Sequence, residues 1–307
     1  MEPRIGHAIK EGFRTASRSW PGIGLFVAGW GLLLLLVGVG FALTNPPAEL
    51  LQAPMVSEAP ASTAAVDAAP AATPAAPAEP AAQRTERIVG EWFGRAWPMV
   101  LLLALLFIAG STWLNGGQIG YLAKRITEGR AALMEFWTGA SRAFVALLGG
   151  SFIGLAAVAG LALVWFALIA GLIASKHTAL VVLGVLLAAA MIAAVVWLGV
   201  RVSFWFIAIV SGRLGPLVGL RASFQATRGR WWRVLWLGCL AGLIGYAAVL
   251  PFALLAFLGR LAGGTLETAL GIIGNVAGAI ASLFVGFAIL AAFIRFYEDV
   301  KSSHPAT

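Results

Sequence analysis

The sequence predicts an all-α integral membrane protein with six transmembrane helices, arranged as three repeats of an interfacial amphipathic helix followed by a helical hairpin. Three observations support this class: the composition, six long apolar segments, and a basic amphipathic segment that occurs three times. The chain of 307 residues is 60% hydrophobic and 11% charged, with a mean hydropathy of +0.91. Soluble domains contain about 25% charged residues, so lipid must solvate much of this chain.

Six segments reach the roughly 20 mostly apolar residues that a transmembrane helix needs. They lie at residues 22–44, 98–119, 147–174, 178–209, 234–258 and 270–296. The first follows several basic residues, as the core of a signal peptide would, but it is longer than the about 7–15 apolar residues of a signal sequence. It is therefore expected to be an uncleaved transmembrane helix. Pro251 is expected to kink the fifth helix.

The basic residues are distributed unequally between the two sides that these spans define. With the N-terminus taken as inside, 16 of the 21 Lys and Arg residues fall on the inner side and 5 on the outer side. The positive-inside rule then places both termini in the cytoplasm. The expected localisation is the bacterial inner (plasma) membrane, which the chain crosses several times.

The segments around the spans give the domain boundaries. Residues 1–21 are predicted to form a cytoplasmic amphipathic helix, and residues 45–96 an outer loop that is rich in Ala and Pro and therefore largely disordered. This loop is predicted to end in an interfacial helix over residues 88–96, after which Pro98 opens the second span. Residues 97–307 form the membrane domain, with transmembrane helices 2–6 and two further cytoplasmic amphipathic helices.

A helix with one apolar face and one basic face precedes each predicted hairpin. The three copies lie at residues 5–20, 131–144 and 217–232, and the first and third align without gaps, with Phe13 opposite Phe224. In the first copy, the residues of the apolar face are Ile5, Ile9, Gly12, Phe13, Ala16 and Trp20. Such helices lie in the plane of the bilayer, with their apolar groups in the acyl boundary and their basic groups among the headgroups.

The basic and aromatic residues of the first and third copies are candidates for binding lipid or a protein partner. They are Lys10, Arg14, Arg18, Arg221, Arg228, Arg230, Arg233, Trp231 and Trp232. An anionic leaflet attracts each nearby basic residue with about 1 kcal/mol. Simple anchoring of the topology and specific recognition of a lipid or partner both fit this pattern. Nucleic acid is not expected as a partner, because the aromatic residues match an interface belt.

Polar residues within the spans form a second set of candidates. They are Asn115, Gln118, Arg201 and Asn275. Polar groups at this depth are costly and are often functional. Arg201 is expected either to snorkel to the inner leaflet or to serve a buried site, which would need an acidic partner. The absence of Asp and Glu from the span cores argues against a proton-coupled or cation-coupled transporter.

Small residues at four-residue spacing predict close packing between helices. The three rows comprise Gly150 and Gly154, Gly238 and Gly242, and Gly274, Gly278, Ser282 and Gly286. Packing within one bundle is the default interpretation, and contact between two copies of the chain is the alternative.

Several short motifs resemble a known family. They are Arg201-Val202-Ser203-Phe204, Gly215-Pro216-Leu217, Leu220-Arg221-Ala222-Ser223-Phe224, Thr227-Arg228-Gly229-Arg230-Trp231 and Tyr297-Glu298-Asp299-Val300-Lys301. From about Gly116 to Lys301 the chain resembles the six-span group that includes the membrane domain of bacterial glycerophosphoryl diester phosphodiesterases and its stand-alone relatives. The resemblance implies a fold and a membrane location. It does not imply a diesterase activity, because this chain lacks the soluble domain and metal-binding acids of the enzyme members.

No catalytic, cofactor-binding or metal site is expected, because no cluster of His, Cys or carboxylate residues occurs in the sequence. The first hypothesis is a non-enzymatic inner-membrane protein, a membrane-organising or complex-associated (scaffold or accessory) subunit with a basic cytoplasmic face. Its expected partners are anionic membrane lipids, together with a protein complex partner or a second copy of the chain. The alternative is a permease or channel subunit for a small or amphiphilic solute, whose path the intramembrane polar residues would line.

Overall fold

The structure is a computed structural model that describes residues 4–47, 81–175 and 178–303. These residues form the helices α1 (Ile5–Ser17), α2 (Trp20–Ala42), α3 (Ala81–Glu128), α4 (Met134–Ser175), α5 (Thr178–Val202), α6 (Trp205–Gly212), α7 (Pro216–Thr227), α8 (Trp231–Ala262) and α9 (Gly264–Ser302). Most of the Ala/Pro-rich segment that is predicted to be a disordered outer loop lies outside the described residues.

Six helical stretches are long and apolar enough to cross a membrane, which confirms the predicted fold class. Five of them belong to α2, α3, α4, α8 and α9, and the sixth is Val182–Gly212, which includes most of α5 and all of α6. The first, α2, spans Trp20–Ala42 and thus begins two residues before the predicted span. The protein is an all-α multi-pass membrane protein.

The described residues form two compact units. Unit 1 comprises those of Met1–Gly31 and Ile108–Thr307, and unit 2 comprises those of Leu32–Phe107. In unit 2, the side chain of Leu103 on α3 fills the space beside Gly40 on α2. The missing side chain of this glycine therefore allows the two helices to approach closely.

A tryptophan makes a second contact within unit 2. The Nε1 of Trp92 on α3 donates a hydrogen bond to the carbonyl oxygen of Thr44 at 3.0 Å. The Trp92 ring also meets the ring of Phe41 edge to face, with 5.8 Å between the ring centroids. The segment that is predicted to be an interfacial helix thus packs on the end of α2.

The core of unit 1 lies toward one end of its long helices. Its largest fully buried side chains are Tyr121, Leu122, Phe136, Leu147, Phe204, Ile209, Leu237, Phe287, Ile294 and Phe296. They come from the end of α3, the first third of α4, the start of α8, the second half of α9, and α6 together with Phe204 just before it. We call this region, together with α1 and α7, the basic end. Apolar side chains of α4 and α5 that lie away from this end, such as Val158, Phe166 and Val185, are exposed, as expected of helices in lipid.

Two of the predicted interfacial helices are not separate elements. Residues 88–96 lie inside α3, which continues through Pro98 instead of starting there. Residues 134–144 of the second amphipathic copy are likewise the first turns of α4. A proline removes one backbone hydrogen bond from a helix, and membrane helices tolerate this loss where neighbouring groups compensate. The predicted start of a helix at Pro98 is therefore wrong, and the second amphipathic copy runs into its span without a break, whereas α1 and α7 end before the spans that follow them.

Glycine contacts set the closest helix crossings of unit 1. A Cβ atom on Gly120 of α3 would lie 2.8 Å from the Cα of Gly139 on α4, so the two backbones touch at this pair. A Cβ on Gly274 of α9 would lie 2.8 Å from the carbonyl oxygen of Phe252 on α8, as its small-residue row predicts. Within the described part of the chain, some predicted packing glycines have no neighbour within 4 Å of a Cβ position, namely Gly238, Gly242 and Gly286.

Candidate lipid and partner interface

The first amphipathic helix, α1, packs on protein through a row of small residues. The buried residues of this row are Ala8, Gly12 and Ala16. Gly12 lies directly against the α9 backbone at Ala288 and Ala292. Gly12 and Ala16, two residues of the predicted lipid-facing set, are therefore buried against protein, whereas Trp20 at the end of that set stays 57% exposed. Three of the basic candidates remain exposed on the other side of the helix, namely Lys10, Arg14 and Arg18.

The third amphipathic helix, α7, buries the matching positions. They are Gly219, Ser223 and Thr227, which the gap-free alignment places opposite Ala8, Gly12 and Ala16. A Cβ on Gly219 would lie 2.6 Å from the side chain of Ile209, so α7 packs on α6 at this position. The threefold repeat stays a prediction, but these two helices share a small-residue face that contacts protein.

The predicted fourth span is interrupted at Ser203–Phe204, where α5 ends and α6 begins. The side chain of Ser223 on α7 closes this break. Its Oγ donates a hydrogen bond to the carbonyl oxygen of Arg201 at 2.6 Å and accepts one from the backbone N–H of Phe204 at 3.2 Å. The serine thus satisfies two backbone groups that the interrupted helix leaves without their usual partners.

Arg201 is a structural residue of the same junction. Its Nη1 donates to the carbonyl oxygen of Phe224 at 3.2 Å and to Oγ1 of Thr227 at 3.3 Å. Its guanidinium group also lies over the rings of Trp197 and Phe224, at 5.3 and 5.9 Å from their centroids. A cation is stabilised both by a helix C-terminus and by aromatic faces. Arg201 therefore holds the end of α7 to α5.

The other intramembrane candidates are dispersed. Asn115 is exposed, and its Nδ2 donates to the carbonyl oxygen of Ser111 in its own helix at 2.9 Å. Gln118 is buried and Asn275 is exposed. The structure gives these three residues and Arg201 no common partner among the described residues.

A basic and aromatic patch occupies the corner between α7 and α8. We define it by Arg221, Arg228, Arg230, Trp231, Trp232 and Arg233. Arg221, Arg228 and Trp232 are exposed, and the tryptophan has 68% of its surface accessible. Nη2 of Arg230 donates to Oγ of Ser303 at 3.4 Å, which ties the corner to the end of α9. The patch therefore has exposed groups on a braced backbone.

Among the clefts that the described residues form, two lie at the basic end, and the sequence predictions included neither. The larger has a volume of about 680 Å³ and is bounded by α3, α4, α6 and α9. The Nζ of Lys124 lies 2.6 Å from Oε1 of Glu135 and 3.8 Å from Oε1 of Glu128. The other charged residues that line it are Arg142, Arg213, Glu298 and Lys301. The cleft thus carries both signs of charge. Three of its seven charged side chains belong to ion pairs, because Lys124 pairs with both Glu128 and Glu135.

Arg213 at the edge of the larger cleft has an unusual backbone conformation. It caps the end of α6 with φ 51° and ψ 42°, and its N–H donates to the carbonyl oxygen of Ile209. Glycine is the usual residue here, because a side chain in the left-handed region costs about 1–2 kcal/mol. Arginine at this position adds a positive charge to the cleft, although its backbone is more strained than that of a glycine would be.

The smaller cleft, about 190 Å³ in volume, lies between α1, the end of α3 and α9. We call it the arginine cleft, because its charged lining residues are Glu11, Arg14, Arg18, Arg125 and Arg295. Arg14 and Arg18 belong to the predicted lipid-binding set. Arg125 of α3 and Arg295 of α9 do not, and in the sequence they are two of the inner-side charges. The small-residue row of α1 is the sequence signal that could have indicated a packed neighbour and thus a shared cleft.

Reactive side chains are sparse in the described structure. Cys239, the one cysteine of the sequence, is exposed on α8. Among residues 4–47, 81–175 and 178–303, no three His, Cys, Asp or Glu side chains are grouped so that they could hold a metal ion. The charged groups at the basic end are mainly guanidinium groups, which suit the recognition of anions.

The fold and the surface define a class: an all-α multi-pass membrane protein whose amphipathic helices and charged clefts lie at one end of a helical unit. The chain belongs to the family described as Domain of unknown function (DUF7847), whose profile matches residues 4–300. No curated protein and no solved structure matches the chain significantly.

Proposed function

We propose that this protein is a non-enzymatic membrane-organising or complex-associated subunit that binds anionic lipid headgroups or an acidic partner through the patch at the α7–α8 corner. The observation that carries the proposal is the exposure of Arg221, Arg228 and Trp232 where a membrane-spanning helix begins. Tryptophan at such a position sits at the headgroup level, and neighbouring arginines attract anionic lipid.

The backbone of the patch supports this role because it is ordered before any ligand binds. Gly229 makes the turn between the two helices with φ +73°. Arg230 bonds to Ser303 on one side of the turn, and Ser223 and Arg201 brace α7 on the other. A preordered surface loses less conformational entropy on binding than a flexible one.

We expect the triple variant Arg228→Gln, Arg230→Gln and Arg233→Gln to lose most of its preference for anionic lipid. Each basic residue at an anionic surface contributes about 1 kcal/mol, so the enrichment of bound anionic over zwitterionic lipid should fall several-fold. The measurement is the composition of the lipid, and the identity of any protein, that copurifies in mild detergent.

A matched variant controls for net charge. Arg4, Arg130 and Arg260 are exposed and lie outside the patch and both clefts, so their replacement by Gln should lower the enrichment clearly less than the patch variant does. Unchanged lipid and protein composition in the patch variant would remove the role that we assign to this corner.

We also propose that the protein resides in the bacterial inner membrane with both termini in the cytoplasm. The support is the unequal distribution of Lys and Arg along the sequence. In a Cys239→Ser background, a Ser302→Cys variant should react with a membrane-impermeant maleimide only after the cells are lysed. A Thr265→Cys variant, at the opposite end of α9, should react once the outer membrane alone is permeabilised. The reverse labelling would place the basic end outside.

The relation to the membrane domain of bacterial glycerophosphoryl diester phosphodiesterases is a further proposal. It is supported by the position of the motif residues, since Arg201, Ser203-Phe204 and Thr227 meet at the α5–α7 junction. Motif residues that meet at one structural junction support a family relation more strongly than motif matches at unconnected places in the fold. A member of that group whose fourth span lacks the arginine-held junction would contradict the relation.

The permease alternative has less support. A transport path needs polar groups that line a common space, and Asn115 and Arg201 instead bond to separate helical elements. Solute flux in proteoliposomes, compared between the native protein and an Arg201→Ala variant, would test it.

A further inference from the structure

The arginine cleft has a different composition from the rest of the basic end. Four guanidinium groups and one carboxylate line it, and it is small, with a volume of about 190 Å³. Clefts for drug-sized ligands begin at about 300 Å³, so this cleft is smaller than they are. The cleft therefore suits one small anionic group better than an extended metabolite or a peptide.

The packing of α1 brings these arginines together. Gly12 lies against Ala288 and Ala292 of α9, and the ring of Trp20 stacks on Phe284 at 5.7 Å between centroids. The helix α1 thus runs antiparallel to α9. Arg295 follows Ala292 by about one helical turn, and its side chain lines the cleft together with those of Arg14 and Arg18. The cleft is a product of the fold and not of a flexible terminus.

The carboxylates at the cleft leave much of its positive charge without a counterion. Nη1 of Arg14 lies 3.4 Å from Oε1 of Glu11. Nε of Arg295 lies 3.3 Å from Oδ1 of Asp299, which is ion-pair distance, but this buried nitrogen has no hydrogen bond in the described structure. No carboxylate of the described residues forms an ion pair with Arg18 or Arg125.

We propose that the arginine cleft binds a phosphate group, either that of an anionic phospholipid or a free phosphate. Guanidinium groups match phosphate oxygens with paired, charge-assisted hydrogen bonds, which a lysine ammonium cannot reproduce. Arg18 lies two residues before α2, which is a membrane-spanning helix, and Arg125 lies in the last turn of another. The cleft is therefore at the level of the headgroups, where a lipid phosphate can enter it while its acyl chains stay in the bilayer.

This site deepens the proposed lipid-binding function but can be tested separately from it. The full-length protein in mild detergent is titrated with phosphatidylglycerol and with diacylglycerol of the same acyl chains, and bound lipid is counted by native mass spectrometry. We expect stronger retention of phosphatidylglycerol, and a decrease of at least about ten-fold in its affinity in the double variant Arg18→Gln and Arg125→Gln, since two charge-assisted bonding groups are lost. Equal retention of the two lipids by the native protein, together with no binding of inorganic phosphate, would overturn the proposal.

Three further arms make the result specific. A variant with Arg4→Gln and Arg130→Gln loses the same net charge outside the cleft and should bind as the native protein does. A variant with Arg18→Lys and Arg125→Lys keeps the charge but loses the paired geometry, so its affinity should be intermediate. Inorganic phosphate at millimolar concentration distinguishes the two sources: binding of phosphate by a protein that does not prefer phosphatidylglycerol assigns free phosphate to the cleft, and preferential retention of phosphatidylglycerol in the presence of phosphate assigns the headgroup.

The outcomes separate this inference from the proposed function. The cleft pair Arg18 and Arg125 lies outside the α7–α8 patch, so failure of the patch variant leaves the cleft result unaffected. If the double variant Arg18→Gln and Arg125→Gln unfolds at the same temperature as the native protein and still binds phosphatidylglycerol and inorganic phosphate equally well, the cleft is not a phosphate site.

Discussion

Replacing Gly12 by alanine should release α1 from α9, although alanine is the better helix former. A Cβ at this position would meet the carbonyl oxygen of Ala288 and would lie 2.9 Å from the backbone nitrogen and the Cβ of Ala292. Backbone atoms cannot rotate away as a long side chain can, so one of the two helices must shift. Overpacking of this kind costs about 1–3 kcal/mol, which exceeds the roughly 1 kcal/mol that alanine gains over glycine in a helix.

Gly6 provides a matched control on the same helix. No atom lies within 4 Å of a Cβ at this position, so Gly6→Ala should change only the intrinsic helix propensity and should slightly stabilise α1. Hydrogen exchange of the α1 amides and tryptic cleavage after Lys10 and Arg14 measure the release of the helix. Exchange and cleavage should increase in the Gly12→Ala variant and not in the Gly6→Ala variant. Equal protection in both would mean that another contact holds α1.

The same pair of variants connects the fold to the arginine cleft. Gly12→Ala leaves all four cleft arginines in the sequence but moves two of them away from Arg125 and Arg295. Its retention of phosphatidylglycerol should therefore fall, while Gly6→Ala should bind as the native protein does. A loss of binding with every arginine present would show that the position of α1 matters in addition to its charge.

The six apolar helices could be predicted from the sequence because hydropathy over about 20 residues is a property of the segment itself. Where a helix ends is different, because the end depends on what satisfies its free backbone groups. The predicted break before Pro98 does not occur, and α3 continues from Ala81 to Glu128. The break at Ser203–Phe204 contains neither Gly nor Pro, and Ser223, about 20 residues away, supplies its hydrogen bonds.

The candidate site was predictable only in part, for the same physical reason. Charge counts identified the basic side of the chain, and the α7–α8 patch could be predicted because its residues are consecutive or one helical turn apart. The arginine cleft combines Arg18, Arg125 and Arg295, which are more than 100 residues apart along the chain. Only the docking of α1 on α9 brings them together, and the amphipathic pattern of α1, taken alone, predicts a lipid-facing surface instead.

Replacing Ser223 by alanine should destabilise the α5–α7 junction more than a surface substitution would. The change removes one hydroxyl group, and with it the partners of the Arg201 carbonyl oxygen and the Phe204 N–H. Ser223 is fully buried, so water does not readily replace the lost hydrogen bonds. An unsatisfied buried backbone group costs about 1–3 kcal/mol, and we expect a total loss of about 2–4 kcal/mol in the free energy of unfolding.

Ser211→Ala is the matched control, because the Oγ of Ser211 donates only to the carbonyl oxygen of Ile207 in its own helix, at 2.8 Å. Such local bonds contribute little to helix stability, so the free energy of unfolding of this variant, measured in thermal or denaturant titrations, should be close to that of the native protein.

The Ser223→Ala variant should also show faster hydrogen exchange at Phe204 and along α7, because Arg201 loses the braced partner on which its own bonds to Phe224 and Thr227 depend. If the two serine variants have the same stability, the bonds of Ser223 do not hold the interrupted span. The order of the α7–α8 patch would then have to come from its contact with the end of α9.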